Sequence, residues 1–127
     1  MHRTTLLACL ALAACNESPP REPAEADAVR QAGRAYVDAL RAQEWGSACR
    51  LMTDAARSEL RDERGGSCER VLTEGGALAP GELDRIRRQL DGSTVQVRGE
   101  RATLGPLGDG ERPLALERRG GRWLVAG

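Results

Sequence analysis

The spacing of apolar residues along this chain changes once, and the change divides the chain in two. From Val29 to Leu90 apolar side chains recur every three or four positions, as on a helix with one buried face. From Val95 onward they alternate, as on a strand with one buried face. Helical period first and strand period last predicts helices packed on an antiparallel sheet, an α+β domain, and argues against repeated βαβ units. The chain has 127 residues, which is one domain's worth.

Within the helical part, Val29, Ala32, Gly33, Tyr36, Val37 and Leu40 share one face of a helix expected over 25–43. Arg34 and Asp38 stand four apart on the opposite face, where they are expected to pair. Ser47 is a candidate N-cap for a short helix over 48–52, and Thr53 or Asp54 for another over 55–61 with Ala56 and Leu60 inward. Gly65-Gly66 closes that helix, and Ser67 begins a further turn over 68–72, so both Cys49 and Cys68 are expected in first turns. Gly75-Gly76 follows. Residues 80–90 read as a helix with Leu83, Ile86 and Leu90 on one side, with an edge strand as the alternative.

Within the alternating part, Gly99-Glu100 suits a type II′ hairpin that sets Val97 opposite Ala102 and Val95 opposite Leu104. The stretch 105–110 reads as a loop. Leu114 and Leu116 mark a third strand, and Gly120-Gly121 suits a type I′ turn into a fourth carrying Trp123 and Val125. Leu116 then opposes Val125. Arg118 lies beside Trp123, within reach of a cation–π contact.

The first residues are an address. A basic head ending at Arg3 precedes an apolar run, residues 6–14, too short for the roughly 20 residues that span a bilayer. It fits the centre of a secretory signal peptide. Leu12-Ala13-Ala14-Cys15 resembles the bacterial lipobox, in which the Cys thiol is acylated and cleavage falls just before it. The alternative is an ordinary signal peptide cut at an Ala-x-Ala site with Cys15 incidental. The resemblance implies a signal peptide over 1–14, a Pro-rich tether over 15–24, a domain over 25–127, and a lipid anchor on the extracytoplasmic face of the cell membrane.

Processing leaves Cys49 and Cys68 as a pair in an oxidising compartment. With no His after position 2, two thiolates cannot complete a four-ligand zinc site. Their spacing is not the Cys-x-x-Cys of a redox site. A structural disulfide is the remaining expectation.

Composition removes other classes. Nineteen Arg and no Lys balance 19 acidic residues, and the chain has two Trp, one Tyr and no Phe. No basic stripe or stacking platform is present for nucleic acid. No Gly-rich phosphate motif occurs, and Gly108-Asp109-Gly110 is too short for a calcium loop. The Arg85, Arg87 and Arg88 cluster is surrounded by Glu82, Asp84 and Asp91 and reads as a solvated face. Ser47, Ser58, Ser67 and Ser93 have no His to activate them. General acid–base chemistry leaves Asp38, Asp54 and Glu69, with Tyr36 as an oxyanion donor. Each has a structural reading: Asp38 on a solvated face, Asp54 as a cap, Tyr36 as a core aromatic.

Taken in order, Tyr36-Val37-Asp38-Ala39-Leu40, Trp45-Gly46-Ser47-Ala48-Cys49-Arg50-Leu51-Met52, Cys68-Glu69-Arg70-Val71, the hairpin over 95–104 and Gly120-Gly121-Arg122-Trp123-Leu124-Val125 resemble small envelope lipoproteins of high-GC Gram-positive bacteria. The resemblance implies the nuclear transport factor 2-like fold, a cone of helices on a curved antiparallel sheet of about four strands. It further implies a pocket between helices and concave sheet, here drawn from Tyr36, Val95, Val97, Leu104, Leu114, Leu116 and Trp123. Some members of that superfamily are ketosteroid-isomerase-like or polyketide-cyclase-like enzymes that use a buried carboxylate. This chain lacks their usual His and Lys, and it ends directly after the fourth strand, so the pocket is expected to be shallow or open. The favoured expectation is a noncatalytic module without metal or cofactor, binding a small apolar ligand or an envelope protein. The enzyme is the alternative.

Overall fold

A computed structural model describes residues 21–74, 79–108 and 112–127. The signal segment, Cys15 and the tether as far as residue 20 lie outside the described residues, as do Gly75-Gly76 and Asp109-Gly110. Five helices precede four strands among the described residues: α1 Arg21–Arg41, α2 Trp45–Arg50, α3 Asp54–Arg64, α4 Cys68–Glu74, α5 Pro80–Gly92, β1 Thr94–Arg98, β2 Arg101–Leu107, β3 Arg112–Arg119 and β4 Arg122–Val125. The strands form one antiparallel sheet in the order β1-β2-β3-β4. The fold is α+β, as the change of period requires.

Helix boundaries depart from the sequence reading where no side chain marks them. α1 starts four residues early, at Arg21, because Pro23 in a first turn lacks an N–H that would have no partner there anyway. It stops at Arg41, since Gln43 takes a left-handed conformation (φ 57°) and the Glu44 N–H reaches back to Ala39 O. Ser47 does not cap α2, which begins at Trp45. Cys49 therefore lies late in its helix, whereas Cys68 opens α4. Thr53 caps α3, accepting from Ala56 N at 3.1 Å. Ser67 Oγ accepts from Arg70 N at 3.2 Å. α5 is helical through Gly92, so no part of it is a strand.

The hairpins follow the expected turn chemistry. Val95 faces Leu104 and Val97 faces Ala102 across Gly99-Glu100, where Gly99 has φ 60°. Leu116 faces Val125 and Arg118 faces Trp123 across Gly120-Gly121, with φ 58° and 78°. The stretch 105–110 is not all loop. β2 continues to Leu107 through a register irregularity between Leu104 and Leu107, which periodicity does not reveal.

Two apolar clusters hold these elements. The larger joins Val29, Val37 and Leu40 of α1 and Leu83, Ile86 and Leu90 of α5 to Ala102, Leu104, Leu116 and Trp123 of the sheet. The smaller gathers Cys49, Met52, Ala56, Cys68 and Val125, and Tyr36, Leu72 and Leu114 pack against both. Each large apolar side chain so buried stabilises by about 1.5–3 kcal/mol. The segment between α2 and α3 lies along β4: Met52 bridges to Val125, Thr53 N–H donates to Val125 O at 2.9 Å, and Val125 N–H donates to Leu51 O at 2.8 Å.

Charge stitches α1 to α5. Arg34 pairs with Asp91 at 2.9 Å, Asp38 accepts from Arg87 at 2.9 Å and from Arg41 at 3.3 Å, and Arg41 reaches Asp84 at 2.8 Å. The expected Arg34–Asp38 pair gives way to these bonds because the antiparallel partner helix brings carboxylates closer than the same helix does. Asp38 is exposed, as expected of a solvated face, and meets Arg87 across the seam between the two helices.

Candidate functional site

Cys49 and Cys68 form a disulfide, and both are buried. The bridge ties α2 to α4, and Arg57 closes the joint from α3. Its guanidinium donates to Cys49 O at 2.8 Å and Met52 O at 2.7 Å while pairing with Asp54. A cation on the last carbonyls of a helix meets the negative end of its dipole. The i, i+3 spacing of Asp54 and Arg57 was the available signal, but nothing local points Arg57 at α2.

The residues expected to line an inner pocket are instead core. Leu104 is 0% exposed, Leu116 1% and Trp123 8%, and Val95, Val97 and Leu114 are half-buried against the same cluster. Helices α1 and α5 occupy the face that was expected to be concave and open. The approach is close enough that a Cβ on Gly33 would stand 2.6 Å from Leu104 Cδ2. Gly33 belongs to the inward face by its spacing, but only the packing explains why it has no side chain.

Tyr36 lies where the two clusters meet, and burial raises its phenol above the usual value. The candidate carboxylates do not join it. Asp38 is in the α1–α5 seam, Asp54 pairs with Arg57 on the surface, and Glu69 is exposed. Among the residues whose side chains are described, no Asp or Glu is buried, and Thr53 is the one buried polar side chain. No group of three His, Cys, Asp or Glu able to hold a metal occurs among them. None of their helices is long and apolar enough to cross a membrane.

Concavity is found on the opposite face of the sheet. A groove of about 500 Å³ runs over Gln96, Arg98, Arg101, Thr103, Ala115 and Glu117. The strand register explains it. Gln96, Thr103 and Ala115 stand in one cross-strand row, and Arg98, Arg101 and Glu117 in the next, all outward where the apolar set points inward. The short side chains of Thr103 and Ala115 in the first row leave the space, and charged ones in the second border it. The alternation that sets the apolar residues inward sets these residues outward, so their common face is legible in the sequence; the groove between them depends on side-chain size across three strands.

At the hairpin end of the sheet, Arg118 is the hub. It donates to Glu100 at 3.0 Å and to Glu25 at 3.2 Å, and its guanidinium carbon stands 5.5 Å from the centre of the Trp123 ring. Hydrogen bonding and charge from Arg118 hold the Glu100 carboxyl below the usual carboxylate range. Compared with protein-family models, with curated proteins and with solved structures, the chain matches none.

Proposed function

We propose that this chain is a membrane-anchored extracytoplasmic lipoprotein with a nuclear transport factor 2-like domain, and that its role is binding rather than catalysis. Cys15 carries the lipid, and the outer face of the sheet takes a small ligand or an envelope protein. The observation that carries this reading is the buried Cys49–Cys68 bridge. A structural disulfide belongs to the oxidising compartment that a signal peptide ending in Leu12-Ala13-Ala14-Cys15 would address. The sheet with its helices on one face suits the family resemblance, and the outward groove supplies a surface for recognition. The enzymatic alternative would need a buried carboxylate beside Tyr36, and the three candidates lie in surface ion pairs or in solvent.

The test is to purify the chain from its own host beside Cys15→Ser and weigh both intact. Acyl mass on a chain that begins at Cys15, recovery with membranes, and release of Cys15→Ser to the soluble fraction are expected. A chain that begins upstream of Cys15, or unchanged membrane partition of the variant, overturns the anchor. A small molecule or partner retained in native mass spectra is the expected sign of binding.

A further inference from the structure

Both hairpins close on a pair of arginines. Arg98 stands directly opposite Arg101 across the first turn, and Arg119 directly opposite Arg122 across the second. Both turns lie at the same end of the sheet, because β1 and β3 finish there and β2 and β4 begin there. Like charges directly opposite each other destabilise a sheet. Two such pairs side by side call for negative charge from outside. Among the described residues, the carboxylates at this end are already engaged: Glu100 and Glu25 hold Arg118, and Glu117 is shared between Arg101 at 3.9 Å and Arg119 at 3.4 Å. Arg98 and Arg122 have no carboxylate within ion-pair distance among the described residues. Side chains at this end are well exposed, Arg101 at 82% and Arg119 at 65%.

The Glu25–Arg118 bond fixes what lies next to this end. It holds the first turns of α1 against the hairpins, so the chain enters the domain here. Only residues 16–20 separate Cys15 from α1, and that stretch reaches at most about 20 Å. If Cys15 is in a bilayer, the arginine-rich end therefore lies at the tethered end of the domain. A tether of that reach lets this end approach within the roughly 8 Å over which electrostatic attraction acts at physiological salt.

We propose that the hairpin end of the sheet, through Arg98, Arg101, Arg119 and Arg122, docks on the anionic phospholipid headgroups of the membrane that holds the anchor. This deepens the anchor reading and rests on it. Docking turns the sheet end toward the lipid. The single covalent tether supplies the high local concentration that lets a weak charge contact persist.

The experiment uses the natural acylated chain, its mass verified, on vesicles of pure phosphatidylcholine and on vesicles half phosphatidylglycerol. Amide hydrogen exchange is followed in the two turns. On the anionic vesicles exchange at Gly99-Glu100 and Gly120-Gly121 is expected to slow by about tenfold relative to the neutral ones, and the difference is expected to vanish in high salt. The same difference should disappear in Arg98→Gln/Arg101→Gln/Arg119→Gln/Arg122→Gln with the exchange of α1 and α5 unaltered, which shows that the variant folds. Equal exchange on both vesicle types by an acylated chain overturns the docking and leaves the anchor intact. A mass without acyl chains overturns the anchor instead. Protection seen in native envelopes but not on phosphatidylglycerol assigns the surface to a protein and also overturns the proposal.

Discussion

At Gly33 a missing side chain sets the distance between layers. Its Cβ position is 2.6 Å from Leu104 Cδ2 and 3.4 Å from Leu90 Cδ2, and both leucines are fully buried and so have little room to yield. Gly33→Val is expected to lower stability by about 2–3 kcal/mol, measured by urea unfolding, because overpacking outweighs the helix propensity gained. Gly81→Ala in α5, where an added Cβ meets nothing within 4 Å, is the control and should be neutral or stabilising by about 0.5 kcal/mol. Spacing alone showed which way Gly33 faces, since position on a helix is a local property. It did not show what Gly33 touches, since Leu104 is brought there by a sheet formed much later in the chain.

Among the elements, the hairpins were the most legible and the helix ends the least. Gly99-Glu100 and Gly120-Gly121 specify their turns through backbone preferences within two residues, and the pairing follows outward from them. The ends of α1 depend on Pro23 and Gln43: Pro23 reads as lying just ahead of the helix but falls within its first turn, and Gln43, which adopts φ 57°, carries no stop signal strong enough to read. The bridge between α2 and α4 was legible from the cysteine inventory, but its partner Arg57 was not. In Cys49→Ala/Cys68→Ala the loop between positions 49 and 68 is no longer closed in the unfolded chain. A loss of about 3 kcal/mol is expected by urea unfolding, and limited proteolysis should cut first near Gly65-Gly66. Undiminished stability of the double variant would mean that Arg57 and the smaller cluster hold the joint without the sulfurs.

For the molecule as a whole, Tyr36 links the two clusters, and its ionisation is felt by both. Burial raises its folded pKa, whereas in the unfolded chain it returns to about 10. The folded state therefore keeps the phenol proton where the unfolded state loses it. Stability from this source is complete below pH 10 and declines as pH rises from there through the folded pKa. Urea midpoints above pH 10 should fall for the wild type and fall less for Tyr36→Phe; parallel profiles would remove Tyr36 as the cause. Whole-molecule features were read in part. Period gave the α+β class, but which face of the sheet stays open depends on how far α1 and α5 approach it, and no window of sequence contains that distance.

The hold of Val125 on residues 51–53 has a bearing on the order of assembly. Cys49 and Cys68 are 19 positions apart in sequence and can join once both have been made, wherever thiols are oxidised. The seat against which Met52 rests, beside those sulfurs, is made by β4, which emerges far later. The covalent link can thus form before the surface it rests against. Without β4 the bridged helices lack that seat, so this strand both completes the sheet and latches the first half of the protein in place.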